Sequence, residues 1–161
     1  RLGGKRDLLP DEENTFWIET DTAAVYRGQC AEYCGLQHTH MAFLVVAVPP
    51  EEFDAWVAKR QGPPPAPASE VVERGRRVFM ESTCVECHRI EGTLATGEIG
   101  PDLTHIGSRR TLGAGTIENN PGNLYGWIVN AQRIKPGNRM PPIAMEPDDL
   151  HALVAYLQSL K

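Results

Sequence analysis

The spacing of hydrophobic residues changes along the chain, and its first part has apolar runs of strand length. Phe16 and Ile18 have the two-residue spacing of a strand, residues 24–29 are expected to form a second short strand, and residues 42–48 are apolar on both faces. Alternating runs are typical of half-buried strands, and a continuous run suits a strand in a sandwich core. We therefore expect β-structure in the first third of the chain.

A short helix is expected to end this part. Two prolines stop the apolar run, and the segment 51–60 that follows begins with acidic residues and ends with basic ones. This arrangement of charge suits the helix dipole. Its Phe53, Trp56 and Val57 are expected to pack in a core.

Helical spacing dominates the second part of the chain. Ser69 can cap a helix that runs to about Met80, and residues 124–131 form another candidate after a turn. Pro147 opens a final helix with one apolar face. That face consists of Leu150, Leu153, Val154, Leu157 and Leu160.

A proline-rich stretch separates the two patterns. Residues 62–67 read Gly-Pro-Pro-Pro-Ala-Pro, which cannot form helix or central strand and behaves as a stiff spacer. We therefore expect two domains, residues 1–60 and 69–161, joined by a linker over residues 61–68.

Composition narrows the possible functions. The net charge of −5 argues against nucleic acid as a partner. No run approaches the roughly 20 apolar residues of a membrane span. The four cysteines form two close pairs, as cofactor ligands do, and not a disulfide framework. The chain begins at Arg1 without an initiator methionine, so a processed protein or a fragment is expected.

Residues 84–88 read Cys-Val-Glu-Cys-His, the pattern of covalent haem attachment. Cys84 and Cys87 can reach the two vinyl groups of one haem, and His88 then lies beneath the iron. A zinc site would need a second ligand pair, and a thioredoxin-like redox pair would need a surrounding βαβ pattern. The sequence therefore predicts one haem c.

His88 needs a partner on the other side of the iron. The candidates are Met80, Met140, Met145, His105 and His151. Met140 is preferred because the prolines of residues 135–142 can hold its thioether at the metal, whereas Met145 adjoins the final helix. Met80 lies too close in sequence to the haem cysteines, and both histidines are interpreted as surface or satisfied residues. His/Met ligation leaves no open site, so electron transfer is expected instead of oxygen chemistry.

A second cluster of donors lies between two predicted strands. It consists of Cys30, Cys34, His38 and Met41. Two thiolates, an imidazole and a thioether form a soft ligand set that favours copper. A zinc site or a reactive thiol pair is the alternative, but neither requires this spacing.

The second domain resembles class I cytochromes c. Gly75 and Phe79 match the first helix of that family, where glycine lets the last helix approach, and Tyr156 matches the aromatic of the last helix. Residues 100–103, Gly-Pro-Asp-Leu, match the loop whose proline carbonyl binds the haem histidine. The resemblance implies an all-α domain in which Pro101 orients the ligand and tunes the metal.

The first domain resembles the CuA domain of cytochrome c oxidase subunit II. This resemblance implies an all-β, partial cupredoxin-like sandwich with a binuclear copper site. Carried over, Cys30 and Cys34 are sulfur bridges between two coppers. His38 binds one copper, Met41 binds weakly, and Glu32 supplies its backbone carbonyl.

One departure from that family concerns the copper ligands. Its other copper histidine lies upstream of the cysteines, but residues 1–29 contain no histidine, and its two membrane helices are also missing. His40 is a rival of His38, although it breaks the family spacing to Met41. We expect a C-terminal part of a longer subunit whose absent N-terminal region anchors it in the membrane and completes the two-copper site. The alternative is a natural chain with a lost or mononuclear site.

Together, the resemblances imply subunit II of a bacterial haem–copper oxidase with a fused cytochrome c. Electrons would pass from a small cytochrome c or a quinol-oxidising complex through haem c and copper to subunit I, which reduces oxygen. Both centres would face the periplasm or the outer membrane surface. The alternatives are the electron-entry domain of a nitrous or nitric oxide reductase, and a soluble cytochrome c with a vestigial copper domain.

Overall fold

The computed structural model describes residues 2–161, so Arg1 of the first predicted domain lies outside the described residues. In the first third of the chain two strands form an antiparallel sheet. Strand β1 spans Ala24–Gln29 and β2 spans Ala42–Ala47. Both strands were predicted from the sequence, and β2 ends one residue before the predicted Val48.

The pairing of the strands creates a closed loop that carries the soft donors. Gln29 pairs with Ala42, so residues 30–41 leave and re-enter the sheet at the same end. The amide of Cys30 donates a hydrogen bond to the carbonyl of Met41 over 3.0 Å. The base of the loop is therefore fixed by backbone geometry before any metal binds.

The strand predicted around Phe16 and Ile18 does not form. Neither residue lies in regular secondary structure, and Phe16 is 59% exposed. Phe43 on β2 is also 57% exposed, unlike a residue of a sandwich core. An alternating pattern becomes a strand only where a neighbouring strand pairs its backbone groups. The first third of the chain thus contains one small two-stranded sheet among its described residues, and the full sandwich is not confirmed.

Helix α1, Pro50–Arg60, follows β2 directly and begins at the expected proline. Its aromatic residues do not pack in a core: Phe53 and Trp56 are each about half exposed. They stack on each other with ring centroids 6.0 Å apart, and the Arg60 guanidinium lies 5.0 Å from the Trp56 ring. The core prediction for these two side chains was wrong because the small sheet offers no second layer to cover them.

Helices dominate the second part of the chain. They are α2 (Glu70–Glu81), α3 (Cys84–Cys87), α4 (Pro121–Ile134) and α5 (Pro147–Ser159). The Ser69 hydroxyl accepts a hydrogen bond from the Val72 amide and caps α2, as predicted. Within residues 2–161 no helix combines the length and the apolar character that crossing a membrane requires.

A small hairpin interrupts the helices and corrects the all-α expectation. Strand β3, Thr111–Leu112, pairs antiparallel with β4, Ile117–Glu118. Gly113 and Gly115 in the connecting turn have φ angles of 60° and 76°. This left-handed backbone suits glycine, and it permits a tight reversal that hydrophobic periodicity does not reveal.

The core of this part forms where α2 crosses α5. A Cβ atom on Gly75 would lie 1.9 Å from the carbonyl oxygen of Ala152, so only glycine allows this approach. Next to it, the rings of Phe79 and Tyr156 pack with centroids 6.1 Å apart. The predicted apolar face of α5 is buried here. Its members are Leu150, Leu153, Val154, Leu157 and Leu160.

Candidate redox metal sites

The loop between β1 and β2 brings three of the predicted copper donors together. The sulfur atoms of Cys30 and Cys34 lie 3.5 Å apart. One donor atom each from Cys30, Cys34 and His38 lie within 4.8 Å of one another. This separation is small enough for the three groups to share one metal site.

Local backbone structure places these donors. Gly35 has a φ of 120°, and its carbonyl accepts a hydrogen bond from the His38 amide over 3.0 Å. A single 3₁₀ turn, His38–His40, follows. The reversal at glycine thus returns His38 to the two cysteines, whose spacing alone would not bring an imidazole near them.

Two observations concern metal binding at this donor cluster. The Nδ1 atom of His38 is buried, and no group of residues 2–161 offers it a hydrogen bond. Buried polar atoms normally have a partner, so an orphaned ring nitrogen beside two thiols suits a ligand atom. The hydrogen bond with the Cys30 thiol raises the pKa of the Cys34 thiol. A metal that binds here must therefore displace a proton, which makes binding pH-dependent.

Glu32 presents its backbone to the cluster and its side chain to solvent. Its carbonyl oxygen lies 3.1 Å from the sulfur of Cys30. Its carboxylate accepts a hydrogen bond from the Lys5 ammonium over 2.5 Å. This arrangement agrees with the role that resemblance gave to the carbonyl of Glu32.

The last predicted copper ligand is more open. Met41 directly precedes β2, and its side chain is 40% exposed. His40 is not a member of the donor cluster, and its backbone carbonyl faces the second part of the chain. We call residues 30–41 the copper loop. Among the described residues, His38 is the one imidazole of the donor cluster in this loop.

The predicted haem-attachment residues lie on and after the single turn of α3. Cys84 and Cys87 are half-buried at the edge of the helical core, and burial raises the pKa of the Cys84 thiol. The amide of His88 donates to the carbonyl of Cys84 over 2.9 Å, and the chain then becomes extended. One helical turn therefore orders the two thiols and the imidazole in sequence.

The ring of His88 is held by the loop that the resemblance identified. Its Nδ1 lies 2.8 Å from the carbonyl oxygen of Pro101, which leaves Nε2 available to a metal. A Cβ atom on Gly100 would lie 2.5 Å from the imidazole carbon Cε1. Glycine at this position lets the loop lie against the ring, so the orientation of the His88 imidazole is fixed.

The Met140 loop is held from both sides of the residue. The Asn138 side chain accepts a hydrogen bond from the Met140 amide over 2.8 Å, and Gln132 donates to the Met140 carbonyl over 2.9 Å. Met140, Met145 and Met80 all pack against the helical core. Packing alone does not decide which of the three methionines is the second iron ligand. The hydrogen bonds that hold its loop favour Met140.

The remaining histidines differ from each other. His151 is exposed on α5, as expected. His105 is half-buried, and its Nδ1 is enclosed without a hydrogen-bond partner among the described residues, so it is not the satisfied histidine that we expected.

Sequence reasoning missed the supporting residues Gln132 and Asn138. The available signal was a set of polar side chains close to a proline-rich ligand loop.

Comparison with known families supports both resemblances. The profile of the family "Cytochrome c" matches residues 72–161, and that of "Cytochrome C oxidase subunit II, periplasmic domain" matches residues 1–48. The chain belongs to the cytochrome c family. Its first third is similar to the family of cytochrome c oxidase subunit II, and the resemblances recognised from the two cysteine motifs are confirmed.

Three similar proteins match both parts of the chain. A cytochrome c oxidase subunit 2 from Alkalihalophilus pseudofirmus is 42% identical over 99% of the chain. Proteins of the same name from Bacillus sp. strain PS3 and Bacillus subtilis are 36% and 32% identical, each also over 99% of the chain. The matches cover 46%, 48% and 48% of these proteins, so the chain spans about half the length of the curated relatives it matches.

Replacing both Cys84 and Cys87 with alanine is expected to abolish covalent attachment. Haem in this variant should be extracted by acidified organic solvent, because no thioether bond would hold it. The absorbance of the extracted and protein-bound fractions measures this. The unaltered protein, which should retain its haem, is the control, and haem that resists extraction from the variant would contradict the assignment.

Proposed function

We propose that this chain is the electron-entry part of a haem–copper terminal oxidase. Its role is to accept electrons from an external donor at haem c and pass them through copper to the oxygen-reducing subunit. The observation that carries this proposal is the direct contact between the two donor-bearing parts. The amide of Ala42, next to the copper loop, donates to the carbonyl of Ala114 over 2.9 Å.

The haem end of this route would use residues with distinct tasks. Cys84 and Cys87 would attach one haem c, while His88 and Met140 would be its axial ligands. Pro101 would keep the His88 ring in one orientation through its carbonyl. A haem with these ligands supplies reversible one-electron transfer without an open coordination position.

The copper end would use Cys30, Cys34 and His38, with Met41 and the Glu32 carbonyl as weaker donors. The sulfur atoms of the two cysteines, which lie 3.5 Å apart, would both be donors to copper in the complete subunit. Copper held by these residues would supply one-electron transfer with little structural change. The rigid base of the loop serves the same end, because the donors move little when the charge changes.

The partners follow from this role. We propose oxidase subunit I as the acceptor, and a small cytochrome c or a quinol-oxidising complex as the donor. The periplasmic family matched by residues 1–48 supports a position on the outer face of the bacterial membrane. The names of the three relatives favour oxygen over nitrogen oxides as the terminal acceptor, and their whole-chain matches favour an oxidase subunit over a soluble carrier.

A Cys34→Ser variant in the assembled oxidase tests this function. Loss of one bridging sulfur should stop oxygen uptake while haem c is still reduced by donor, so haem c should accumulate in its reduced form. Oxygen consumption and haem absorbance are measured together during turnover. Thr39→Ser, an exposed change in the same loop, is the matched control. Normal oxygen uptake by the Cys34 variant would exclude the route through copper.

A further inference from the structure

Lys135 is a buried cation at the boundary between the two parts of the chain. It follows the last turn of α4, and only 8% of the residue is exposed. Among residues 2–161, no carboxylate comes within salt-bridge distance of it. Lysine is rarely buried without a counter-charge, because removing the ammonium from water is costly. Its position therefore requires a structural reason.

Two backbone carbonyls satisfy the ammonium. Lys135 donates to the carbonyl of His40 over 2.8 Å and to the carbonyl of Gly113 over 2.8 Å. His40 belongs to the copper loop, between His38 and Met41. Gly113 belongs to the β3–β4 turn of the haem-bearing part. The Lys135 side chain thus joins the two parts of the chain. Both of its acceptors are backbone carbonyls, which remain when the side chain of His40 is replaced.

Other contacts join the copper loop to the second part of the chain on both sides of Lys135. We call this line of contacts the seam. The Gln37 side chain donates to the carbonyl of Pro136, and the Ala42 amide donates to the carbonyl of Ala114. A Cβ atom on Gly115 would lie only 3.0 Å from the Cβ of Ala42, so the surfaces are in close contact. The copper loop is therefore seated against both the hairpin turn and the end of α4.

The seam leads to groups near the expected haem. A Cβ atom on Gly113 would lie 2.7 Å from the Trp127 ring, which itself packs against the helical core. On the other side, Lys135 immediately precedes the proline-rich loop that presents Met140. Lys135 therefore binds the copper loop through a hydrogen bond, and it is covalently joined to the start of the loop that carries Met140.

We propose that Lys135 is a positioning residue that docks the copper loop on the haem-bearing part. This inference rests on the proposed function, because it assigns Lys135 the task of fixing the separation across which the electron passes. The rate of electron transfer falls steeply with separation, so a fixed contact serves transfer better than a mobile one. A compact ammonium with several donors on a long stem suits two carbonyls in a narrow seam.

Burial lowers the pKa of Lys135, which agrees with an enclosed ammonium. The proposal itself depends on the two hydrogen bonds and on the seam around them.

The test uses a Lys135→Met variant of the complete, haem- and copper-loaded protein. Methionine keeps the length of the side chain but removes the donors. The haem is reduced by a light pulse, and the appearance of the electron at copper is timed. Hydrogen exchange of the Ala42 amide, which bonds across the seam, is measured on the same samples.

We expect transfer to slow by about tenfold or more and exchange at Ala42 to accelerate, because charge-assisted hydrogen bonds would be lost. The spectra and reduction potentials of haem and copper should stay unchanged, which separates positioning from damage to either site. Lys59→Met, an exposed change in α1, is the matched control and should alter none of these quantities. Unchanged transfer in Lys135→Met would overturn the proposal, whether or not exchange accelerates.

A second variant covers the case in which Lys135→Met loses a metal or fails to fold. Gln37→Leu removes a side-chain contact of the same seam. It should slow transfer in the same direction but by less, and unchanged transfer there would then overturn the proposal. Absence of haem-to-copper transfer in the unaltered protein would instead refute the proposed function, while exchange at Ala42 would still show whether Lys135 joins the two parts.

Discussion

Replacing Met140 with alanine is expected to leave haem attached to the protein but to lower its reduction potential and open its sixth position. A thioether ligand raises the potential of a haem, and alanine supplies no donor. We expect a fall of a few tenths of a volt, which is part of the roughly 0.8 V range that axial ligands span. The neighbouring hydrogen bonds of Asn138 and Gln132 go to the Met140 backbone, so the loop should keep its conformation.

A redox titration and the binding of carbon monoxide to the reduced protein measure this effect. Met145→Ala is the matched control, because Met145 also packs against the core but adjoins α5. It should keep the potential close to that of the unaltered protein and should not bind carbon monoxide. The opposite pattern, with the large effect in Met145→Ala, would reassign the ligand.

Residues 1–161 alone are expected to bind fewer than two tightly held coppers. Two coppers bridged by Cys30 and Cys34 need one strong terminal nitrogen each. Within the described residues the donor cluster contains one imidazole, that of His38, and His40 lies outside it. His40 is also held by its carbonyl to Lys135, so turning this part of the loop toward the thiols would break that contact.

Copper stoichiometry and electron paramagnetic resonance of the 161-residue chain test this expectation. We expect weak or single-ion binding, or oxidation of the two thiols to a disulfide. A polypeptide extended by a preceding strand that bears a histidine should bind two. Two tightly bound coppers in residues 1–161, with the multi-line spectrum of a shared electron, would contradict the ligand count.

Elements with dense, repeated signals could be predicted from the sequence. The apolar face of α5 has four residues at helical spacing, with Leu160 directly after the helix, and Ser69 adds a cap to α2. The apolar run of β2 has no polar interruption, so its bounds were also clear. In each case the signal lies within the element itself, so the element could be predicted without knowing which part of the fold packs against it.

Features that depend on a distant surface could not be predicted in this way. Whether Phe53 and Trp56 are buried depends on a second layer, and residues 2–161 do not place one over them. The same applies to the strand expected at Phe16, which needs a partner to pair its backbone.

The two donor sets differ in how far sequence alone defines them. Cys84, Cys87 and His88 lie within five residues, so one turn of helix fixes their geometry. The copper donors span a longer loop, and their approach depends on the reversal at Gly35. The role of Lys135 could not be read from its neighbours in sequence, because its partners are carbonyls far away in the chain.

Transfer of one electron from haem c to copper within the same protein is the most direct test of the proposed electron route. In the complete, metal-loaded protein, haem c is reduced by a light pulse under anaerobic conditions, and both centres are followed by absorbance. We expect haem oxidation and copper reduction to occur at the same rate, and this rate should not depend on protein concentration. Haem that stays reduced, or a rate that rises in proportion to protein concentration, would contradict this route.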